Sequence, residues 1–363
     1  MKIAEFARRW LDHYFTHEEA LLLVVLIAGG LLVVSWLGAV LAPFLTALII
    51  AFILQGVLAR LLAWGVPERA SVLGAFGLFM AILAVLLVMV FPLIWRQTVG
   101  FVDAMPTMLD ELQTFARRLP ERYPTLLSAE QIDDWLATAR EEMLGFGQRA
   151  LTFSFGQIGS IVGIVIYLVL VPILVFFLLK DRRTLLAWFT NLLPEERPLL
   201  EQVGAEMNEQ IANYVRGKAL EIFIVGAVTF VVFRLLGLDY SALLAILVGF
   251  SVLVPYIGAA VVTLPVAMVG FVQFGLGWDF GWVMLAYAII QALDGNVLVP
   301  VLFAEAVDLH PVAIILAVLV FGGIWGFWGV FFAIPLASLA KAVLTAWPDT
   351  VGEFEADVDP DGG

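Results

Sequence analysis

Apolar runs of about 20 residues, separated by short polar links, set the rhythm of this chain. Residues 20–41, 43–63 and 71–95 are each long enough to cross roughly 30 Å of hydrocarbon as a helix. Ahead of them, 1–19 reads as an amphipathic helix on the membrane surface, with Ile3, Phe6, Trp10, Leu11 and Tyr14 toward lipid. The link at Ala42 and Pro43 is so short that the first two spans are expected to pair as an antiparallel hairpin. Residues 97–150 then turn polar, with Pro106, Pro120 and Pro124 as punctuation. Two helical stripes run through them. One carries Met108, Leu112, Phe115 and Leu119, the other Ile132, Trp135, Ala139 and Met143. This predicts a small helical insert outside the bilayer, each stripe buried against the other or against the membrane domain.

Hydrophobicity returns within 151–180, the fourth span, and stops at Lys180, Asp181, Arg182 and Arg183. Segment 181–218 is amphipathic, with Leu199, Val203, Met207, Ile211 and Val215 at helical spacing. A second membrane half, 219–347, holds apolar runs at 219–237, 241–274, 278–303 and 312–347. Two of these are too long for one straight helix and too short for two. Val254, Pro255, Tyr256, Ile257 and Gly258 interrupt the first; Gly322, Gly323, Gly326 and Gly329 interrupt the second. Irregular backbone at this depth is tolerated only where protein or water lines it, and such interruptions point to a transport site. The fold expected is an all-α polytopic membrane protein. It has about eight transmembrane segments, some broken or re-entrant, plus the extramembrane insert.

Composition agrees. The chain is 62% hydrophobic and 14% charged, so lipid must solvate most of it. It has no cysteine, which removes disulfides and thiol chemistry, and its three histidines make a multi-histidine metal site improbable. No cofactor is expected. His13 and His17 share a face of the interfacial helix and are too few for a metal. The net charge of −13 argues against nucleic acid as a partner. Much of that charge lies in 348–363, which reads as a disordered acidic tail. No cleavable leader is evident before the first apolar run. Lys2, Arg8 and Arg9 place the N-terminus in the cytoplasm. Counting three crossings puts 97–150 in the periplasm; a fourth brings Lys180–Arg183 back inside, and the C-terminus is expected there too.

Asp294 and Asn296 sit within the apolar run 278–303. An acid in hydrocarbon is costly unless used. They read either as an ion- or proton-coupling pair on a substrate path, or as a helix-breaking turn whose side chains cap backbone groups. Gln291, Tyr287, Tyr256, Ser251 and Thr263 either line that path or satisfy bonds between helices. Pro172, Pro255, Pro265 and Pro335 bend helices, and the carbonyl freed at Pro255 is a candidate cation ligand. Arg216, Lys218 and Glu221 form either a gate or ordinary positive-inside anchoring. Glu305, Asp308 and His310 form either a second gate or a solvated connector that Pro311 closes. The glycines at 322, 323, 326 and 329 serve packing or a hinge. No phosphate loop precedes Lys218, and no serine elbow or His-Glu-x-x-His helix appears, so an enzyme is not expected.

Several of these segments together resemble a known family. They are Asn213 to Lys218, Val254 to Gly258, Asp294 to Pro300, Leu309 to Pro311, and Ala333 to Leu336. The chain is similar over about 20–347 to the autoinducer-2 exporter family, most of all to its PerM-like permease branch. The resemblance implies a bacterial inner-membrane protein with eight spans that self-associates into a homo-oligomer. Many members carry Glu where this chain has Asp294, and the PerM-like branch accepts Asp. Members have been linked to export of a signalling furanone and to sodium/proton exchange. Two functions follow. One is a permease or exporter of a small polar solute or cation, driven by a proton or sodium gradient. The other is an oligomeric scaffold that engages membrane lipid without moving a solute.

Overall fold

A computed structural model describes residues 18–118, 138, 145, 161–194, 198–255, 257–303 and 309–346. The expectations placed on 1–17, Tyr256, Glu305, Asp308, most of 119–160 and the tail 348–363 lie outside these. Among the described residues every regular element is helical. Five helices are long and apolar enough to cross a membrane: Val40–Ala63, Glu68–Ala116, Gly163–Lys180, Ile257–Phe274 and Trp278–Phe303. The chain is thus a polytopic membrane protein.

Helix α1 (Glu18–Ala63) corrects the first expectation. Its 46 residues run through Pro43 without reversing, about 70 Å at 1.5 Å per residue. Pro43 removes one donor, but its neighbours Val40, Leu41, Ala42, Phe44 and Leu45 supply no Gly, Asn or Asp to turn the chain. The predicted hairpin at Ala42 and Pro43 is therefore absent. The crossing count that rested on it loses one reversal.

Helices α2 (Glu68–Val85) and α3 (Phe91–Ala116) are one rod joined by a π-helical turn, Leu86–Val90. The backbone does not break at 97, and Pro106 lies inside α3. Met105, Met108 and Leu109 are buried, and Met108 packs into the same core as Val262 and Val266. Of the first stripe, Met108 and Leu112 are thus covered by the membrane domain, and Phe115 meets Phe271 edge to face; Leu119 lies outside the described residues.

The chain divides into two compact units. The larger, 43–180 with 215–304, shows two cores among the described residues. Ala47, Ala51, Val72, Phe79, Val171 and Val175 knit α1, α2 and α4 (Ile161–Lys180). The other joins α3 to α6 (Pro198–Leu235), α7 (Ser241–Ser251), α8 (Ile257–Phe274) and α9 (Trp278–Leu293) through Phe233, Leu244, Val248, Val266 and Val283. Between α4 and α6 lies the short α5 (Arg182–Thr190). The α7–α8 turn obliges a glycine, since a Cβ on Gly258 would fall 1.8 Å from the Ser251 carbonyl oxygen.

After α9 the helix continues through a second π turn, Asp294–Leu298, into α10 (Val299–Phe303). The Asp-Gly-Asn segment is therefore a widened helical turn, where a break was one of the two readings. Each π turn has a proline six positions after its first residue, Pro92 and Pro300. A proline offers no N–H to the carbonyl four residues back and crowds it. Pairing upstream to i+5, as from Phe91 to Leu86 and from Val299 to Asp294, relieves that conflict.

The smaller unit, 1–42 with 181–214 and 305–363, packs Leu23, Val203, Met207 and Ala342 together. The Tyr214 hydroxyl donates to the Phe331 carbonyl at 3.0 Å. The glycine-interrupted run is a helical hairpin, α11 (Pro311–Trp325) and α12 (Phe327–Ala346), turning at Gly326 with φ 58°. A Cβ on Gly329 would sit 1.8 Å from the Phe321 oxygen, whereas Gly323 faces open space.

The two glycines should therefore behave oppositely. Gly329→Ala is expected to force the hairpin apart, costing about 1–3 kcal/mol or more. Gly323→Ala should stay within about 0.5 kcal/mol of wild type. Thermal unfolding of the purified variants in detergent checks both; equal midpoints would contradict the packing role.

Candidate functional site

Helix α6 changes character at Arg216, Gly217 and Lys218, where a polar helix becomes an apolar one. Lys218 and Glu221 share a face at i, i+3, and both are buried, at 4% and 1% exposure. Their side chains meet at 2.7 Å. Although the ions are this close, Glu221 Oε2 takes part in no aligned hydrogen bond among the described residues. The Lys218 ammonium donates to the Val252 carbonyl at 2.9 Å. Val252 is the C-cap of α7, so the cation meets the negative end of a helix. Helix α7 has 11 residues, about 16 Å and half the hydrocarbon thickness. The Phe303 ring covers the ammonium from 5.2 Å.

That approach depends on Gly217. A Cβ there would come within 2.8 Å of the Phe303 ring. Farther along α6, Gly226 meets Gly249 of α7, where a Cβ on Gly249 would lie 2.9 Å from the Ile222 oxygen. Small residues thus let α6, α7 and α10 close around one charge.

Asp294 opens the π turn and is half-buried. Its charge couples to Lys218 and to Glu221. Its Oδ1 atom is buried and accepts no hydrogen bond from the described residues. Three ionisable groups therefore share one region of the larger unit: a cation and two acids. Among the described residues no group of three or more His, Cys, Asp or Glu could hold a metal ion.

The other expected path residues sort differently. Asn296 is exposed and spends its amide on its own helix, donating to Ala292 O at 2.8 Å. Gln291 donates to the Tyr287 hydroxyl at 2.8 Å, and Tyr287 donates to Ala259 O at 2.9 Å. Thr263 meets the same hydroxyl at 3.1 Å. This network ties α8 to α9, so these groups satisfy one another. Ser251 donates to Val248 O at 2.7 Å. Pro255 sits in the α7–α8 turn, where its carbonyl accepts from Ile257 N at 2.7 Å. Arg216 turns away from Lys218, donating to Phe52 O of α1 at 3.2 Å beside Gly56.

His310 caps α11, its ring accepting from Val312 N at 3.3 Å with Pro311 at the first position. Gly322 lies against Val330 in the α11–α12 hairpin. Sequence reasoning did not single out the Val252 carbonyl, Gly217 or Phe303 as partners of the lysine. Gly217 lay inside a quoted motif; nothing in the sequence brings position 303 to 217.

Comparison with known proteins agrees with the resemblance. A family described as AI-2E family transporter matches residues 21–349. PerM of Escherichia coli (strain K12), a permease by name, is 48% identical over 345 residues, covering 95% of this chain and 98% of that protein. YueF of Bacillus subtilis (strain 168), a transport protein by name, is 26% identical over 307 residues, covering 83% and 82% respectively.

Charge balance predicts an order of damage. Lys218→Met leaves Glu221 and Asp294 without their cation and should lower stability by about 3–5 kcal/mol. Glu221→Gln leaves Lys218 balanced by Asp294 and should cost less. Unfolding midpoints in detergent rank the two, and the reverse order would refute the shared-cation arrangement.

Proposed function

The chain belongs to the AI-2E transporter family, and on that premise we propose that it is a bacterial inner-membrane permease moving a small polar solute or cation by secondary transport. The carrying observation is the Asp294 carboxylate. One of its oxygens is buried in an apolar helix without a hydrogen-bond donor among the described residues. Ionisable groups held this way in a membrane mark pathways more often than scaffolding. The neighbouring Tyr287 and Gln291 groups are already engaged, and Glu221 meets Lys218 at 2.7 Å, so Asp294 is the acid best able to take a proton, a cation or a donor group of a solute.

In this reading Lys218 is the internal counter-ion. With Asp294 unloaded, the ammonium is shared between Glu221, the Val252 carbonyl and the Asp294 charge. Loading Asp294 from one side removes its pull, and the ammonium then belongs to Glu221 and α7 alone. Movement of the α9–α10 helix against α6 exposes the acid to either side in turn, as alternating access requires.

In this reading the chain makes eight passages. The five long apolar helices are joined by the apolar half of α6 and by α11 and α12, with α7 reaching partway. With α2–α3 and α4 each crossing once, Arg60 and Arg69 at the α1–α2 turn and Lys180 at the end of α4 would come to one side of the membrane. The excess of Lys and Arg would make that side cytoplasmic and the segment after α3 periplasmic; one passage of α1 then sets Glu18 on the periplasmic side, against the cytoplasmic N-terminus expected from Lys2, Arg8 and Arg9. A transport family is read as non-enzymatic.

Purified protein in proteoliposomes loaded with a pH dye tests this. Imposing a sodium gradient should move protons in the wild type. Asp294→Asn should abolish that response while keeping its unfolding midpoint, and Asn296→Ala should retain it. A D294N variant with wild-type proton movement would remove Asp294 from the mechanism.

A further inference from the structure

Helix α5 begins immediately after α4, whose candidate span Gly163–Lys180 ends at a lysine. The chain at that point has therefore just reached the end of the hydrocarbon, at headgroup depth. In α5, Trp188, Leu185, Phe189 and Leu186 fall within an arc of about 160° at 100° per residue, and Leu192 continues the arc. These five side chains are between 37% and 65% exposed, and no residue of α5 is buried. The arc has no protein cover among the described residues of its unit.

Arg182 and Arg183 occupy the first turn, which contains no acid. Cations there oppose the helix dipole, so the dipole does not account for their position. In a chain of net charge −13, an exposed basic pair at one end of an exposed aromatic arc, Arg182 on the arc and Arg183 about 60° past its edge at 100° per residue, is complementary to one kind of surface. It suits an anionic, apolar-backed one. Trp and Phe at headgroup depth fit the same occupant.

We propose that α5 lies in the membrane interface, its Trp188–Phe189 face sunk between acyl chains, with Arg182 and Arg183 holding the phosphates of anionic phospholipids. The contact anchors the junction between span α4 and the segment leading to α6. It makes placement of that segment depend on lipid charge.

The absence of cysteine allows single nitroxide labels on the full chain without first removing any native thiol. Phe189→Cys and, on the opposite face, Ala187→Cys are labelled and reconstituted in phosphatidylethanolamine vesicles with either phosphatidylglycerol or phosphatidylcholine. The label at 189 should collide with dissolved oxygen and be shielded from a water-soluble nickel chelate; the label at 187 should show the reverse. Shielding at 189 should weaken when phosphatidylglycerol is replaced. It should also weaken in phosphatidylglycerol vesicles when Arg182→Gln and Arg183→Gln are added. Equal nickel access at both positions would place the helix in water. Shielding of both labels from both colliders would mean a protein partner covers it. Insensitivity of the wild-type arginine background to lipid charge would remove the anionic headgroup. Each of these results overturns the proposal.

Discussion

A lysine ammonium buried in the membrane half of this protein must be compensated, and the arrangement of the larger unit follows from how that is done. Lys218 finds the C-terminal carbonyl of a half-length helix, a carboxylate one turn along its own helix, and an aromatic face. An ion pair this dry is weak evidence of stability, because desolvating both partners offsets much of the attraction. Its effect is positional. Three separate elements, α6, the end of α7 and α10, are each required at one point. Gly217, Gly226 and Gly249 remove the side chains that would keep them apart.

The polar groups around this point divide sharply. Tyr287, Gln291 and Thr263 bond one another and a backbone carbonyl between α8 and α9. Asn296 bonds its own helix. Such groups are cheap to keep in a membrane because each is satisfied locally. Asp294 differs. It contributes charge to the cluster but leaves an oxygen without a donor among the described residues, an arrangement that costs free energy unless another group supplies one. A site identified by this remainder is narrower than one identified by polarity alone.

The sequence made much of this legible, and the limits have physical causes. Span-length apolar runs, the interruption at 254–258 and the glycine cluster at 322–329 are properties of local composition, and they correspond to helices and turns. Asp294 stood out because an acid in hydrocarbon is conspicuous. The hairpin at Ala42 and Pro43 is absent although the apolar run is long enough for two spans, because run length does not itself reverse a chain and the apolar residues on both sides carry the helix past one missing bond. The stripe through Met108 left its partner open, since periodicity reports that a face is covered and not by what. Lys218 and Asp294 were assigned to different roles, as gate and path. Their proximity arises only once α6 and α9 pack in one core.

The π turn at Asp294 has a geometric effect on the charge cluster. Asp294 and Phe303 are nine positions apart. On an uninterrupted α-helix nine steps of about 100° place two side chains on opposite sides of the cylinder. A π turn inserts one residue into the ladder, which removes about 100° of that rotation. The acid and the ring are thereby brought to within about 80° of each other, so one helix can address the same ammonium from both. Pro300 holds the insertion open. A chain with a hydrogen-bonding residue there would be free to rewind to a regular ladder, swinging its aromatic lid off the lysine without any change at Asp294, Glu221 or Lys218 themselves.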